Sequence, residues 1–403
     1  MHSSRHLLTT LLLAGVVFAR RTPAVAAEVT ILNVSYDPTR ELWRDINRAF
    51  APRYERTEDL VRSVQGKLNF AAVVLVVLAV LGIGAKNYQR NADVKLLNVS
   101  YDPTRELYQK LNPRFAAAYA KETGRKVLVA QSHAGSTRQA RSVIDGEQAA
   151  DVVTLGLPSD VGALRKRGLI PDDWAARLPN HSQPYYSTIV FVVRRGNPFG
   201  IHDWPDLVRS NLEIITPDPR TSGNGKLSAL AAWGAITTRG GSEADARAYL
   251  KAFYERAPFL ETGARATSLA FSVEKQGDVN VIWENEALRE VAESKGELEV
   301  VYPKVSILAE PVVTWVDTNV AKHGTAEAAR AYLGFLFTDE AQELIAETGY
   351  RPFKADVLKK HRQSFPDIEL FPVTEIARDW EDAQQRFFTE NGIIDTVYRP
   401  KPR

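Results

Sequence analysis

From residue 94 onward, short β-branched and apolar runs alternate with longer stretches of helical periodicity, and this rhythm restricts the chain to stacked α/β layers with mostly parallel strands. Strands are expected over 94–100, 127–131, 151–155, 187–193 and 212–215. Helices are expected over 103–123, closed by Gly124, and over 137–145, 327–337 and 340–348. Two lobes joined by crossing strands suit a chain of 403 residues, 44% of them hydrophobic. In open sheets of this kind ligands bind beyond the carboxyl ends of the strands, where helices begin with unpaired N–H groups. Three small glycine-containing loops fall at such places: 132–137, 221–225 and 262–265. Each is a candidate anion cradle, because glycine permits close backbone approach and a following helix adds a positive dipole end. Any one of them alone would more often be a plain turn.

Composition removes several classes of function. Lysine plus arginine (51) nearly balance aspartate plus glutamate (49), so there is no basic field for binding nucleic acid. Cysteine is absent, which excludes disulfides, thiolate metal sites, a cysteine nucleophile and a lipidated cysteine. The only methionine is Met1, an economy that suits a protein made during sulfur starvation. The seven histidines show no HExxH spacing and no GxSxG elbow occurs, so His133, near Ser136 and Asp102, does not make a hydrolase triad. The chain is expected to be no enzyme and to need no cofactor.

Upstream, residues 1–27 have the layout of a secretory signal: Arg5, an apolar run over 7–18, and small residues at Ala24, Ala26 and Ala27. A second apolar run, 68–85, has eighteen residues without a charge and is just long enough to cross a bilayer; it reads as an export signal or an anchor. Between them lies a partial duplicate. LNVSYDPTREL occurs at 32–42 and again, identically, at 97–107, and the similarity extends from Val29/Val94 to Tyr54/Tyr119. A single pair of copies cannot stack into a solenoid core. The second copy runs directly into the rest of the domain and is expected to fill the strand position.

Read in order, the words LLNVSYDPTREL, QSHAGS, ADVVTLGL, STIVFVVRRGNP, IHDW, ITPDPRTSGNG, LAAWG, GAR, WENEAL and ILAEP resemble the bacterial periplasmic sulfate- and thiosulfate-binding receptors, over about 310 residues. The resemblance implies a two-lobed periplasmic binding protein fold of type II, with the ligand in the hinge cleft. The first lobe would take 94–190 and the return 290–403, with the C-terminal helices; the second would take 191–289. It further implies a monomeric, periplasmic carrier of sulfate that serves the permease subunits of an ABC importer, with 68–85 as a possible tether to the inner membrane. Thiosulfate or another tetrahedral oxyanion such as molybdate is the alternative ligand, and a tethered fusion with impaired function the alternative product.

Carried over by motif, the ligand contacts fall on Ser136, through both its N–H and its hydroxyl, on Ser222 and Gly223, on the backbone N–H of Asn224, on the N–H of Ala264 and on the indole of Trp283. Asp102, Arg265 and Asp160 would brace the binding loops. Two departures are visible: Asn224 stands where the family often has a second glycine, and Ala134 makes HAGS of HGGS. Taken singly, Trp283 would be a core aromatic, and Asp102, Ser136 and Ser222 helix caps. The chemistry is coherent as a set. Sulfate carries no proton at neutral pH and only accepts hydrogen bonds, so its ideal site is a shell of donors. Hydrogen phosphate would bring a proton without an acceptor, costing roughly 1–3 kcal/mol in a dry site. Peptide dipoles spread the charge without a buried lysine or arginine partner.

Overall fold

Strand β1 (Val94–Tyr101) is buried at six of its eight positions, the mark of a strand covered on both faces. It pairs in parallel with β2 (Val127–Ala134) along its whole length and with β3 (Val152–Leu155) on its other edge. The structure is a computed structural model that describes residues 92–209 and 211–398, with Arg48 alone upstream; residues from 86 onward form one compact unit. The second copy of the repeat thus supplies the central strand. The first copy apart from Arg48, the expected signal 1–27 and the apolar run 68–85 lie outside the described residues. Among the described residues no helix is long and apolar enough to cross a membrane.

Helix α1 (Arg105–Thr123) follows a 3-10 turn at Asp102–Thr104 that opens on Pro103, so it begins two residues later than expected. It ends at Gly124, whose φ of 71° is the left-handed conformation that stops a helix. β2 runs three residues past its expected end, because pairing holds it in register as far as Tyr101 opposite Ala134. Helices α2 (Ser136–Ile144) and α3 (Pro158–Lys166) start just after β2 and β3.

The chain crosses to the second lobe through β4 (Tyr185–Tyr186) and β5 (Ile189–Arg194), then forms β6 (Ile214–Pro217), α4 (Gly223–Thr237), α5 (Glu243–Glu255), β7 (Leu260–Glu261), α6 (Ala264–Ser268), β8 (Val279–Trp283), α7 (Glu284–Glu293) and β9 (Leu298–Val301). The sheet order is β7-β6-β8-β5-β9. β6 is parallel to β7 and β8, whereas β5 is antiparallel to β8 and β9. Since β9 pairs with β5, the return to the first lobe falls after residue 301 and not at 290; the second lobe is longer than the sequence words implied.

The return runs through β10 (Val305–Ile307) to β11 (Val312–Trp315), which adds antiparallel to β3 and completes the first sheet in the order β11-β3-β1-β2. Helices α8 (Asp317–His323), α9 (Ala326–Phe335) and α10 (Asp339–Glu347) follow, the last two close to the expected spans. Then come β12 (Arg351–Pro352), α11 (Ala355–Lys360), β13 (Glu369–Phe371), α12 (Trp380–Phe388) and α13 (Ile393–Val397).

Three passages of chain connect the lobes. Ser187 and Ala309 exchange backbone hydrogen bonds of 3.0 and 2.9 Å where the first two run side by side. Thr188 Oγ1 donates to the Ile307 carbonyl and Ser306 Oγ to that of Ile189, both at 2.8 Å. The third passage, β13, pairs with β10 and leads to α12. That helix touches both lobes: Glu381 takes Lys166 and Arg165 of α3, while Arg386 reaches Glu243 of α5 and Phe387 meets Trp233 edge-on at 5.1 Å.

Candidate functional site

The three glycine loops marked in the sequence meet at one residue. A Cβ on Gly135 would lie 2.4 Å from the Thr221 carbonyl oxygen and 3.3 Å from that of Thr262, so only glycine lets the first-lobe loop come this close to the two second-lobe loops. Gly223 makes the same kind of approach, its missing Cβ falling 3.1 Å from Ser136 Cβ; that of Gly156 would touch Trp283 and Tyr101, both at 3.3 Å. Ser136, Ser222, Gly223, Asn224, Ala264 and Trp283 are all buried here, none of the named side chains more than 2% exposed. Each sits at the first turn of a helix that starts at the end of a strand.

The N-cap residues of α2, α4 and α6 are Gly135, Ser222 and Gly263, and none makes a side-chain capping bond. Side-chain caps occur at α5, α10 and α12, on Ser242, Thr338 and Asp379, and at none of the other numbered helices. Ser222 therefore occupies a cap position without capping. The starts of α2, α4 and α6, whose first-turn N–H groups lack intrahelical partners, come together near Gly135, where the loops of the two lobes meet.

Asp160 at the first turn of α3 accepts from Ser136 Oγ at 2.6 Å, from Thr137 Oγ1 at 3.0 Å and from Lys226 Nζ at 3.2 Å. This corrects one expectation. The Ser136 hydroxyl spends its single proton on Asp160 and accepts from the Gly156 N–H at 3.0 Å, so Ser136 has its backbone N–H, not its hydroxyl, to offer a ligand. Lys226 is buried in α4, but its charge is turned to Asp160 and to Gln384 Oε1 at 2.7 Å, across the lobe boundary.

Arg265 donates to both oxygens of Glu106, at 2.6 and 2.7 Å, and lies 3.5 Å from Glu286. Burial opposes ionisation of Glu106, yet the Arg265 guanidinium outweighs it and holds the carboxyl below its ordinary range. The Asp102 carboxylate lies 2.5 Å from where a Gly263 Cβ would be, across the cleft. Burial, aided by Arg105, pushes His133 down to about 3, so its imidazole is neutral at physiological pH.

Asn224 resolves the departure from the glycine pattern. Its side chain turns into its own lobe, where Oδ1 accepts from the Trp283 backbone N–H at 2.9 Å and Nδ2 donates to the Val281 carbonyl at 3.2 Å. Trp283 is indeed packed as a core aromatic, 5.4 Å from the Tyr101 ring, but at the junction of the lobes.

Lys226, Glu106, Gln384, Gly135 and Gly156 were not singled out as site residues in the sequence. Two of them had a signal: Glu106 recurs as Glu41 in the duplicated word, and Lys226 is a lone charge in the small, apolar stretch GNGKLSALAAWG.

Comparison with known proteins agrees with this arrangement. Residues 104–351 match the family described as bacterial extracellular solute-binding protein. A sulfate-binding protein of Escherichia coli is 47% identical over 76% of this chain and 93% of its own. A thiosulfate-binding protein of Pseudomonas aeruginosa is 41% identical over 82% of this chain and 98% of its own. Among solved structures, a sulfate-binding protein of Mycobacterium tuberculosis superposes with a TM-score of 0.67 at 30% identity, covering 73% of this chain and all of that one.

Proposed function

The chain belongs to the bacterial extracellular solute-binding proteins and, among them, to the sulfate- and thiosulfate-binding family, and from that premise we propose that it captures sulfate in the periplasm and delivers it to the permease of an ABC-type importer. The observation that carries this is the meeting of three uncapped helix starts at Gly135, with the Asp160 and Glu106 carboxylates engaged by other side chains. Asp160 is taken up by Ser136, Thr137 and Lys226, and Glu106 by Arg265. In this proposal the donors for the ligand are the first-turn N–H groups of these helices. A fully deprotonated dianion fits such a set, and a ligand with a proton to donate does not.

The proposed contacts are the backbone N–H groups of Ser136, Gly223, Asn224 and Ala264, the hydroxyl of Ser222 and the indole N–H of Trp283. Asp102, Asp160 and Arg265 hold the loops. Five of the six come from the second lobe, where they are already tied together by Thr221 Oγ1 on the Thr262 carbonyl (3.2 Å) and by Asn224 on Trp283. The anion lands on this preorganised half, and closure brings Ser136 of the first lobe over it. Binding of this kind breaks no covalent bond, so the role is carriage and not catalysis.

Thiosulfate is the second reading, favoured by the Pseudomonas aeruginosa relative; it too is a dianion that only accepts. Calorimetric titration with sulfate, thiosulfate, phosphate and molybdate decides. Micromolar or tighter sulfate binding with no phosphate heat is expected, and tight phosphate binding without sulfate heat would reject the donor-only site. Trp283→Phe should weaken sulfate binding by about 1–3 kcal/mol, the value of one hydrogen bond to a charged group.

A further inference from the structure

A cavity of about 430 Å³ shares no residue with the proposed sulfate contacts or with the residues that brace them. That volume suits a small organic molecule. Its walls are already fastened to one another. Tyr186 of β4 pairs with Arg351 of β12, α11 supplies Leu358 and Lys359, and Ile368 and Leu370 come from the third passage between the lobes, where β13 pairs with β10. The buried Arg351 ties these parts together. Its Nε and Nη2 donate to the two oxygens of the buried Glu284, both at 2.7 Å, and Nη2 donates also to the Pro366 carbonyl at 2.8 Å. The guanidinium lies 5.4 Å from the centre of the Phe365 ring. A wall bonded in this way needs little ordering to take a ligand.

The charges on this wall do not cancel. Arg351 is balanced by Glu284 behind it, and Arg362 on the rim by Asp367 at 2.7 Å. The neighbours of Lys359 in the chain, Lys360 and His361 two places on, both turn to Glu343. Lys359 itself lines the cavity and makes no ion pair among the described residues, so one positive charge is left beside the apolar surface of Leu358, Phe365, Ile368 and Leu370. We propose that this cavity is a second ligand site, for a small organic monoanion: a carboxylate carried on an aryl or short alkyl body. The body lies on Phe365, Leu358 and Leu370. The carboxylate meets Lys359, with the Tyr186 hydroxyl and Arg351 Nη1, which takes no part in the bonds to Glu284 and Pro366, as further donors. Sulfate has no apolar surface to lay on this wall and carries two charges against the single one unbalanced here, so the two sites sort different anions.

The test titrates the full chain with phenylacetate by ligand-observed NMR, with and without excess sulfate, against two molecules of the same shape, the neutral 2-phenylethanol and the cationic 2-phenylethylamine. Saturable phenylacetate binding at about 1 mM or tighter is expected, unchanged by sulfate, with the alcohol about fivefold weaker and the amine weaker still. Lys359 and Ala355 are exposed where they line the cavity, so substitution there should leave the melt unchanged. Lys359→Glu should weaken phenylacetate about tenfold and make the amine the better ligand, and Ala355→Trp should block both by filling the cavity. Four results would overturn the proposal: no saturable phenylacetate binding, equal binding of the alcohol, displacement by sulfate, or binding that neither variant alters. Phenylacetate is followed directly, so the outcome is independent of which anion the cleft takes.

Discussion

At the scale of single residues, the site depends on atoms that are missing as much as on those present. Gly135→Ala would set a methyl 2.4 Å from the Thr221 carbonyl, a backbone atom that cannot swing away, so the lobes should fail to close. A loss of about tenfold or more in sulfate affinity is expected by calorimetry. Asn224→Ala leaves the Trp283 backbone N–H buried without its acceptor and should cost about 1–3 kcal/mol of stability in denaturant unfolding. Glu290 is a case of pH dependence away from the ligand. One of its oxygens accepts from Ser268 and Asn280 at 3.0 Å, and burial pushes the carboxyl up to about 8. A raised folded value means that the folded state holds a proton the unfolded state releases from about pH 4.5 upward. This group's contribution to stability is thus full below about 4.5 and lost as pH rises through 8. Glu290→Gln should flatten that slope in melts taken across the window.

At the scale of elements, the lobes are pinned by pairs that join helices of opposite lobes. Lys226 of α4 meets Asp160 of α3, and Arg265 of α6 meets Glu106 of α1. The first pair is nearly dry, its side chains 3% and 4% exposed, so removing one partner strands a buried charge. Lys226→Met should destabilise the closed protein by about 3–5 kcal/mol, and adding Asp160→Asn should recover part of that, as read in a double-mutant cycle on sulfate off-rates and unfolding. Helix α12 adds a strap, since Glu381 holds α3 while Arg386 and Phe387 hold the second lobe. Its surface ion pairs are worth little singly, and Phe387 against Trp233 carries more of the attachment.

At the scale of the whole molecule, the proposed capture closes two lobes on the anion, and the expected sign is a smaller radius of gyration in solution scattering once sulfate is added and a larger one after dialysis. Much of this was legible in the sequence. The period of apolar residues placed β1, α1, α2 and β3 within a few residues, because periodicity is local and the core it faces is large. The three loops were legible for the same reason: each is a strand end followed by a helix start with glycine between. The boundary at 290 was misjudged because nothing local marks β9 as a partner of β5, more than a hundred residues away. The sequence by itself determined the alternating layers, the donor-rich loops and the absence of chemistry that needs cysteine. Only the tertiary structure decided that those loops converge at Gly135, that the Ser136 hydroxyl donates its hydrogen bond to Asp160, and that Lys226 and Glu106 form pairs between the lobes. Lys226 lies 66 residues from Asp160, and Arg265 lies 159 from Glu106. Pairings at that range are set by how two sheets and three crossings bring helix starts together, and no local pattern in the chain encodes them.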